Sequence, residues 1–383
     1  MFSSFNTINR IVYGFGCLDD LAGEIKRLHG SKILVITDPG VKAAGLLEPV
    51  TKILDRARLP FQVFAEVEAD PSIDVVIKSV EAAKAFQPDM IVGIGGGSSL
   101  DISKATSILL TNPGSIYDYL GMDLVPGPGV PTILIPTTAG TGSEVTSISV
   151  LSDSRDNLKK AVVSPQLFAR CVMLDPQLTL GLPPHITART GMDALVHAIE
   201  SFTGIRATVF TDTLNLQAIR MIAGNLRKAY ANGDDCQARE KMLYASCMAG
   251  MAFSNTQNGL DHAIALAIGG RFHLPHGLLT AFICPWVMEY NLLAAPEKFK
   301  QIAQAFGENT EGMPDIEGAR LSVKAVKGLL EDLDISYKLS DYNVPTDAIP
   351  ALAKATMGAT RLISNNPRKP NQEDVEKVLQ ANY

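Results

Sequence analysis

From residue 31 to about residue 138 the chain alternates short β-branched runs with amphipathic stretches, and no other feature narrows its fold as much. "SKILVITD" (31–38), "FQVFAEV" (61–67), "DMIVGIGGG" (89–97) and "PTILIPTT" (131–138) read as strands. Between them, "LEPVTKILDRARL" (47–59), "VVIKSVEAAKAF" (75–86) and "SLDISKATSILL" (99–110) carry helical periodicity. A βαβα order of this kind predicts a mostly parallel, Rossmann-like sheet covered by helices, an α/β domain. After "GLPPH" (181–185) the texture changes: residues 187–202, 211–232, 238–254 and 316–333 are helical patterns, and no strand is read there. The boundary is expected at the Pro-rich turn, giving domains 1–180 and 181–383. A length of 383 residues also suits two hydrophobic cores better than one.

Three small-residue segments follow strands, where the carboxyl edge of a parallel sheet receives ligands. "GIGGGSSLD" (93–101) opens a helix. Its glycines allow close approach to a phosphate, and the helix N-terminus offers unpaired N–H groups and partial positive charge. The spacing is not the GxGxxG fingerprint, so an ordinary tight turn remains an alternative. Asp38 ends an earlier strand, where its carboxylate can accept from ribose hydroxyls and repel a 2′-phosphate, favouring NAD over NADP. It can equally be the initiating residue of a "DPG" turn. In "PTTAGTGSE" (136–144), Thr137 and Thr138 offer hydroxyls to a phosphate or a nicotinamide amide.

The histidines form the second pattern. Asp193 and His197 in "TGMDALVHAIE" (190–200) are four apart among apolar neighbours, hence on one helical face. A buried polar pair needs a partner; it is either a salt-bridged core pair or part of a metal site. "GLDHAIALAIGGRFHLPHG" (259–277) adds His262 on a helix and His276 in the turn that ends it. One carboxylate and three imidazoles suit a divalent first-row ion. His276 is preferred to His273 because Pro275 and Gly277 fix its turn; His273 then lines the cleft or faces solvent. Asp261 reads as a helix-start residue, not a fifth ligand.

Composition excludes several classes. The net charge is −6 with both signs scattered, which argues against nucleic acid or an anionic membrane as partner. Five well-separated cysteines without a CxxC pair read as reduced thiols in a cytoplasmic protein. "MFSSFNTINR" lacks the apolar core of a secretory leader, and no apolar run approaches the ~18 residues that span a bilayer.

In order along the chain, "GIGGGSSLDISKA", "PTTAGTGSE", "TGMDALVHAIE", "GMAFSN", "GLDHAIA…LPHG" and "NNPR" (365–368) resemble the iron-containing (group III) alcohol dehydrogenases over essentially the whole length. The resemblance implies the dehydroquinate synthase-like fold of that family: an N-terminal dinucleotide-binding domain, an all-helical metal and substrate domain, and a metal in the cleft between them. It implies metal ligands Asp193, His197, His262 and His276, with iron or zinc as the ion. It implies NAD contacts by Asp38, Asp70, Gly96, Gly97, Ser98, Thr137, Thr138 and Lys159, the last ahead of the "VVSP" strand, and a homodimer. Phe253, Asn255, Leu266 and Arg271 are expected to border the substrate.

The chain departs from the family's "HAxAH" pattern: Leu266 stands where members commonly carry a proton-relay histidine. The relay is expected to run through water, the ribose hydroxyls or His273, making His273 the candidate catalytic residue. At Asp70 many members have Asn. The activity implied is NAD(H)-dependent interconversion of a small primary alcohol, diol or hydroxy acid with its aldehyde, the cation stabilising the alkoxide. A dehydroquinate-synthase-like lyase and a non-catalytic nucleotide-binding assembly protein are the alternatives.

Overall fold

The computed structural model describes residues 4–155 and 158–383, in two compact units. One spans Asn6–Leu182; the other spans Pro183–Tyr383 and takes in Phe5, whose ring lies 5.9 Å from that of Phe210.

The first unit runs β1 (Ile11–Tyr13), α1 (Leu21–Arg27), β2 (Ile33–Ile36), α2 (Pro39–Ala43), α3 (Leu47–Arg56), β3 (Phe61–Phe64), α4 (Ile73–Phe86), β4 (Met90–Gly95), α5 (Gly97–Leu109), β5 (Gly121–Met122), β6 (Thr132–Pro136), β7 (Ile148–Asp153), β8 (Leu158–Val163) and β9 (Cys171–Leu174). Six strands form one parallel sheet in the order β1-β9-β6-β4-β2-β3. The expected alternation is visible in the core. Leu34 and Ile36 of β2 join Ile73, Val76, Val80, Ile102 and Ala105 on one face. Ile33 and Val35 join Leu21, Ile25, Val50 and Leu54 on the other. Successive strand residues point to opposite faces, and a sheet covered on both sides needs both to be apolar.

The alternation seen in the sequence does not extend to five strands, of which only β8 is anticipated, as the "VVSP" strand that the family resemblance implies. β1 and β9 are only three and four residues long. β5, β7 and β8 form a separate three-stranded sheet around the antiparallel β7–β8 pair, where exposed residues such as Val150 and Leu158 break the expected pattern.

The second unit runs α6 (Pro184–Thr203), α7 (Val209–Ala231), α8 (Cys236–Thr256), α9 (Leu260–Phe272), α10 (His276–Asn291), α11 (Pro296–Ala305), α12 (Asp315–Asp332), α13 (Ile349–Gly358), α14 (Thr360–Ile363) and α15 (Gln372–Ala381). Among the described residues it contains no strand. α6 packs on α7, α8 and α10, and α10 also on α9, α12 and α15. The expectation about apolar runs needs correction here. The stretch His276–Ala294 is long and apolar enough to cross a bilayer by length and composition, but most of it is buried inside the protein. Its apolarity serves the helical core.

Candidate functional site

The second unit gathers a carboxylate and imidazoles from three helices. Asp193 and His197 lie in α6, His262 in the first turn of α9, and His276 begins α10 just after Pro275. Asp193 Oδ1 is 3.9 Å from His262 Nε2 and 3.7 Å from His276 Nε2. Donor atoms of these three residues all lie within 4.8 Å of one another. A four-coordinate ion with bonds of about 2 Å needs donors roughly 3.3 Å apart, so small side-chain shifts close the set. His197 is placed differently: its Nδ1 is 3.9 Å from Asp193 Oδ2, while its ring stacks on Phe253 at 4.3 Å and on His262 at 4.7 Å.

A residue not singled out from sequence completes the arrangement. Glu200 Oε2 lies 2.7 Å from His262 Nδ1, and its Oε1 accepts the Asp261 N–H at 2.7 Å. A carboxylate oxygen accepts, so in the neutral imidazole this contact places the proton on Nδ1 and the lone pair on Nε2. That buried Nε2 has no hydrogen-bond partner. Glu200 stands seven residues after Asp193 on the same helix, a spacing that was readable as one face.

Burial pushes the Asp193 carboxyl up. His197, His276, His262 and the Thr280 hydroxyl outweigh this and hold it below the usual carboxylate range. An ionised carboxylate beside an orphaned imidazole nitrogen, both buried, is an electron-rich pocket that a divalent cation satisfies. Asp261 lies in the first turn of α9, as its reading required, but its side chain does not cap the helix. Burial, then the charges of Glu200 and Asp193, push its carboxyl well above the ordinary range.

The other residues assigned to substrate and proton transfer scatter. Leu266 lies one turn beyond His262 on the same face of α9 and is half-buried. Arg271 follows His262 by about two and a half turns, on the opposite face, and is exposed. His273 is the C-cap of α9 in the left-handed conformation (φ 54°) and is exposed. Phe253 is buried against His197. The Asn255 amide donates to the Met251 carbonyl at 2.8 Å, along its own helix.

In the first unit the ends of β2, β4 and β6 are adjacent, and the chain's direction of winding reverses between β2 and β4. Such a switch point is where open α/β sheets bind ligands. Asp38 caps α2 by accepting the Val41 N–H at 2.9 Å. Its second oxygen accepts the Ser99 hydroxyl at 2.9 Å, which ties it to the glycine turn. Gly95 has φ 149°, and a methyl group there would lie 2.6 Å from Ser99 Oγ and 2.9 Å from Asp38 Oδ2. Gly96 is the N-cap of α5, Gly97 and Ser98 begin the helix, and no side chain caps its N–H groups. The buried Thr137 donates its N–H to the Gly95 carbonyl, and the half-buried Thr138 follows. Lys159 lies inside β8, not ahead of the strand, and pairs with Asp70 at 2.5 Å.

Further along this loop, Glu144 is buried and its Oε1 has no hydrogen-bond partner. Burial lifts its carboxyl to about 7 against the opposing effects of its own backbone N–H and the Lys104 charge. A carboxyl raised on folding contributes its stability in full below the unfolded value and loses it as pH rises through 7. Glu144→Gln is therefore expected to raise Tm more at about pH 8 than at about pH 5, with a gain of up to about 3 kcal/mol at the higher pH. Thermal melts at the two pH values check this.

Comparison with known proteins adds an independent line. Residues 9–176 match the family described as iron-containing alcohol dehydrogenase, and residues 187–383 match the C-terminal part of the Fe-containing alcohol dehydrogenase family. The chain is 45% identical over 379 residues to a sulfoacetaldehyde reductase of Bilophila wadsworthia (strain 3_1_6), covering 98% of each. The crystal structure of a 1,3-propanediol oxidoreductase superposes with a TM-score of 0.98 at 35% identity, covering 100% of both chains. That of a sulfoacetaldehyde reductase from Bifidobacterium kashiwanohense in complex with NAD+ gives 0.90 at 26% identity, covering 100% of both chains.

Proposed function

The chain belongs to the iron-containing alcohol dehydrogenase family, and from that membership we propose that it is an NADH-dependent reductase of a short aldehyde, with sulfoacetaldehyde as the leading substrate. It is an oxidoreductase that interconverts an alcohol and an aldehyde. Neither the lyase nor the non-catalytic alternative fits this membership.

The observation that carries the chemistry is the His262 imidazole, oriented by Glu200 with its Nε2 beside an ionised Asp193. Asp193, His262 and His276 would hold a divalent ion, with His197 contributing from the same face of α6. When bound, the ion polarises an aldehyde oxygen and the dinucleotide supplies the hydride. The protein's own part is positional. Glu200 fixes the tautomer of His262. Phe253 covers the ring of His197 and keeps water from that side. The glycine turn and the uncapped N-terminus of α5 receive the pyrophosphate, and the carboxylate of Asp38 takes the ribose hydroxyls. Asp70 and Lys159 are assigned to the adenosine side, and Thr137 and Thr138 to the nicotinamide side.

Leu266 offers no proton at the position one turn after His262. His273, at the end of α9, is the protein's candidate for the relay, with the solvent as its source. The substrate assignment is supported by the 45% identity to a sulfoacetaldehyde reductase. Arg271, on the far face of α9, is not assigned to the sulfonate. Five free cysteines agree with a cytoplasmic home, and a homodimer is the proposed assembly, to be measured by light scattering.

The test is NADH oxidation with sulfoacetaldehyde, 3-hydroxypropanal and propanal, before and after chelation. Sulfoacetaldehyde is expected to give the highest kcat/KM, by about tenfold or more. Chelation should abolish turnover of all three, and added Fe2+ or Zn2+ should restore it. Equal rates with all three aldehydes would remove the sulfonate from the reading, and full activity in chelator would remove the metal.

A further inference from the structure

The "NNPR" segment is far in sequence from every residue assigned above, yet its two asparagines are buried where the metal-bearing helices end. The Asn365 amide donates to the carbonyls of Gln257 at 2.9 Å and Asn258 at 3.3 Å, in the link between α8 and α9. Its Oδ1 accepts the N–H of Arg206, just past the end of α6, at 3.1 Å. Asn366 Oδ1 accepts the N–H of Leu260, the first residue of α9, at 3.4 Å. The Asn366 carboxamide also exchanges two hydrogen bonds with that of Asn291 at the end of α10, at 2.8 and 2.9 Å. A methyl group at Gly259 would come 2.9 Å from Glu200 Oε1 and 3.2 Å from Asn366 Oδ1, so both side chains crowd the start of α9.

One of the clamped residues is strained. Gln257 has φ 76° and ψ 166°, a region that is essentially glycine's own. Such a conformation is unfavourable in a non-glycine residue and persists only where its surroundings over-determine it. Five residues later the chain places His262.

We infer that Asn365 and Asn366 are positioning residues of the metal centre. Their carboxamides hold the strained Gln257–Gly259 link, and through it fix the start of α9 and the direction of the His262 ring. Asn366 registers α10, and with it His276, against the same point. The inference rests on the reading of Asp193, His262 and His276 as a metal site. A purely structural role would lower Tm and leave the affinity of the folded protein for the ion unchanged. A positioning role changes that affinity, as loss of outer partners does at metal sites, by about 10–100-fold.

The experiment measures Zn2+ affinity by chelator competition on the full-length apo-protein, well below Tm, for wild type, N365A, N366A, Q257G and N365A/Q257G. Asp193→Ala serves as control. N365A and N366A are expected to bind at least tenfold more weakly. Q257G in the N365A background should recover most of that loss, since glycine adopts the link conformation without help. If N365A is too unstable to purify, N365S takes its place with the same expectation. Wild-type affinity in N365A or N365S, whatever its Tm, overturns the inference, as does failure of Q257G to recover binding. Wild type that binds no more tightly than Asp193→Ala overturns the metal reading itself, a separate outcome.

Discussion

His262→Ala is expected to purify as a folded protein without its divalent ion and to turn over at least a thousandfold more slowly. His262 brings a buried Nε2 without a hydrogen-bond partner, and a carboxylate behind the ring orients it, so its loss removes an oriented donor. A Lewis acid at a reacting oxygen contributes several kcal/mol, and each 1.36 kcal/mol is about a factor of ten in rate, which places the loss near three decades. Metal analysis and steady-state kinetics measure the two parts. NADH affinity should stay at its wild-type value, because the residues proposed to hold it, the glycine turn, Asp38 and Thr137, belong to the other unit. Normal metal content with normal turnover would remove His262 from the site.

Glu200→Ala is expected to weaken metal binding by about 10–100-fold and to lower stability by about 2–4 kcal/mol. Two donors, His262 Nδ1 and the Asp261 N–H, lose their shared acceptor in a buried place. Each unpaired buried donor costs about 1–3 kcal/mol, and the freed imidazole can move its proton to Nε2, which then has no lone pair for an ion. Glu200→Gln keeps one acceptor oxygen and turns an amide toward the other donor, so it should fall between Ala and wild type. Chelator competition and thermal melts distinguish this from a purely structural loss. Unchanged affinity in the Ala variant would show that the tautomer does not need Glu200.

Much of this architecture was legible. The alternation that covers residues 31–138 predicted β2, α3, β3, α4, β4, α5 and β6, each with ends within a few residues of those observed. The long helical patterns after residue 185 became α6, α7, α8 and α12. These elements owe their stability to one persistent face, which a periodicity reports directly. Among the strands that escaped, β1, β9 and β5 have two to four residues, too few for a period, and pair with strands distant in sequence. β7 and β8 are six residues each and pair with each other close by in sequence, but exposed Val150 and Leu158 break their apolar alternation. The candidate metal residues showed the same division. Asp193 and His197 announced themselves by spacing along one helix. Glu200 lay in the same quoted stretch, but its use depends on meeting His262 from another helix. Asn365 and Asn366 could be noticed as a motif, yet nothing local indicates that their partners are Arg206, Gln257, Leu260 and Asn291.

The burial of α10 has a consequence for how the chain is made. The helix is covered by α6 and α9 from before it and by α12 and α15 from after it. While the polypeptide leaves the ribosome, the first two partners are already available and the last two are not yet synthesised. For that interval an apolar rod of bilayer length is wrapped on one side only. The nascent protein must complete its last helices, or borrow a chaperone's surface, before that rod finds another molecule to lie against.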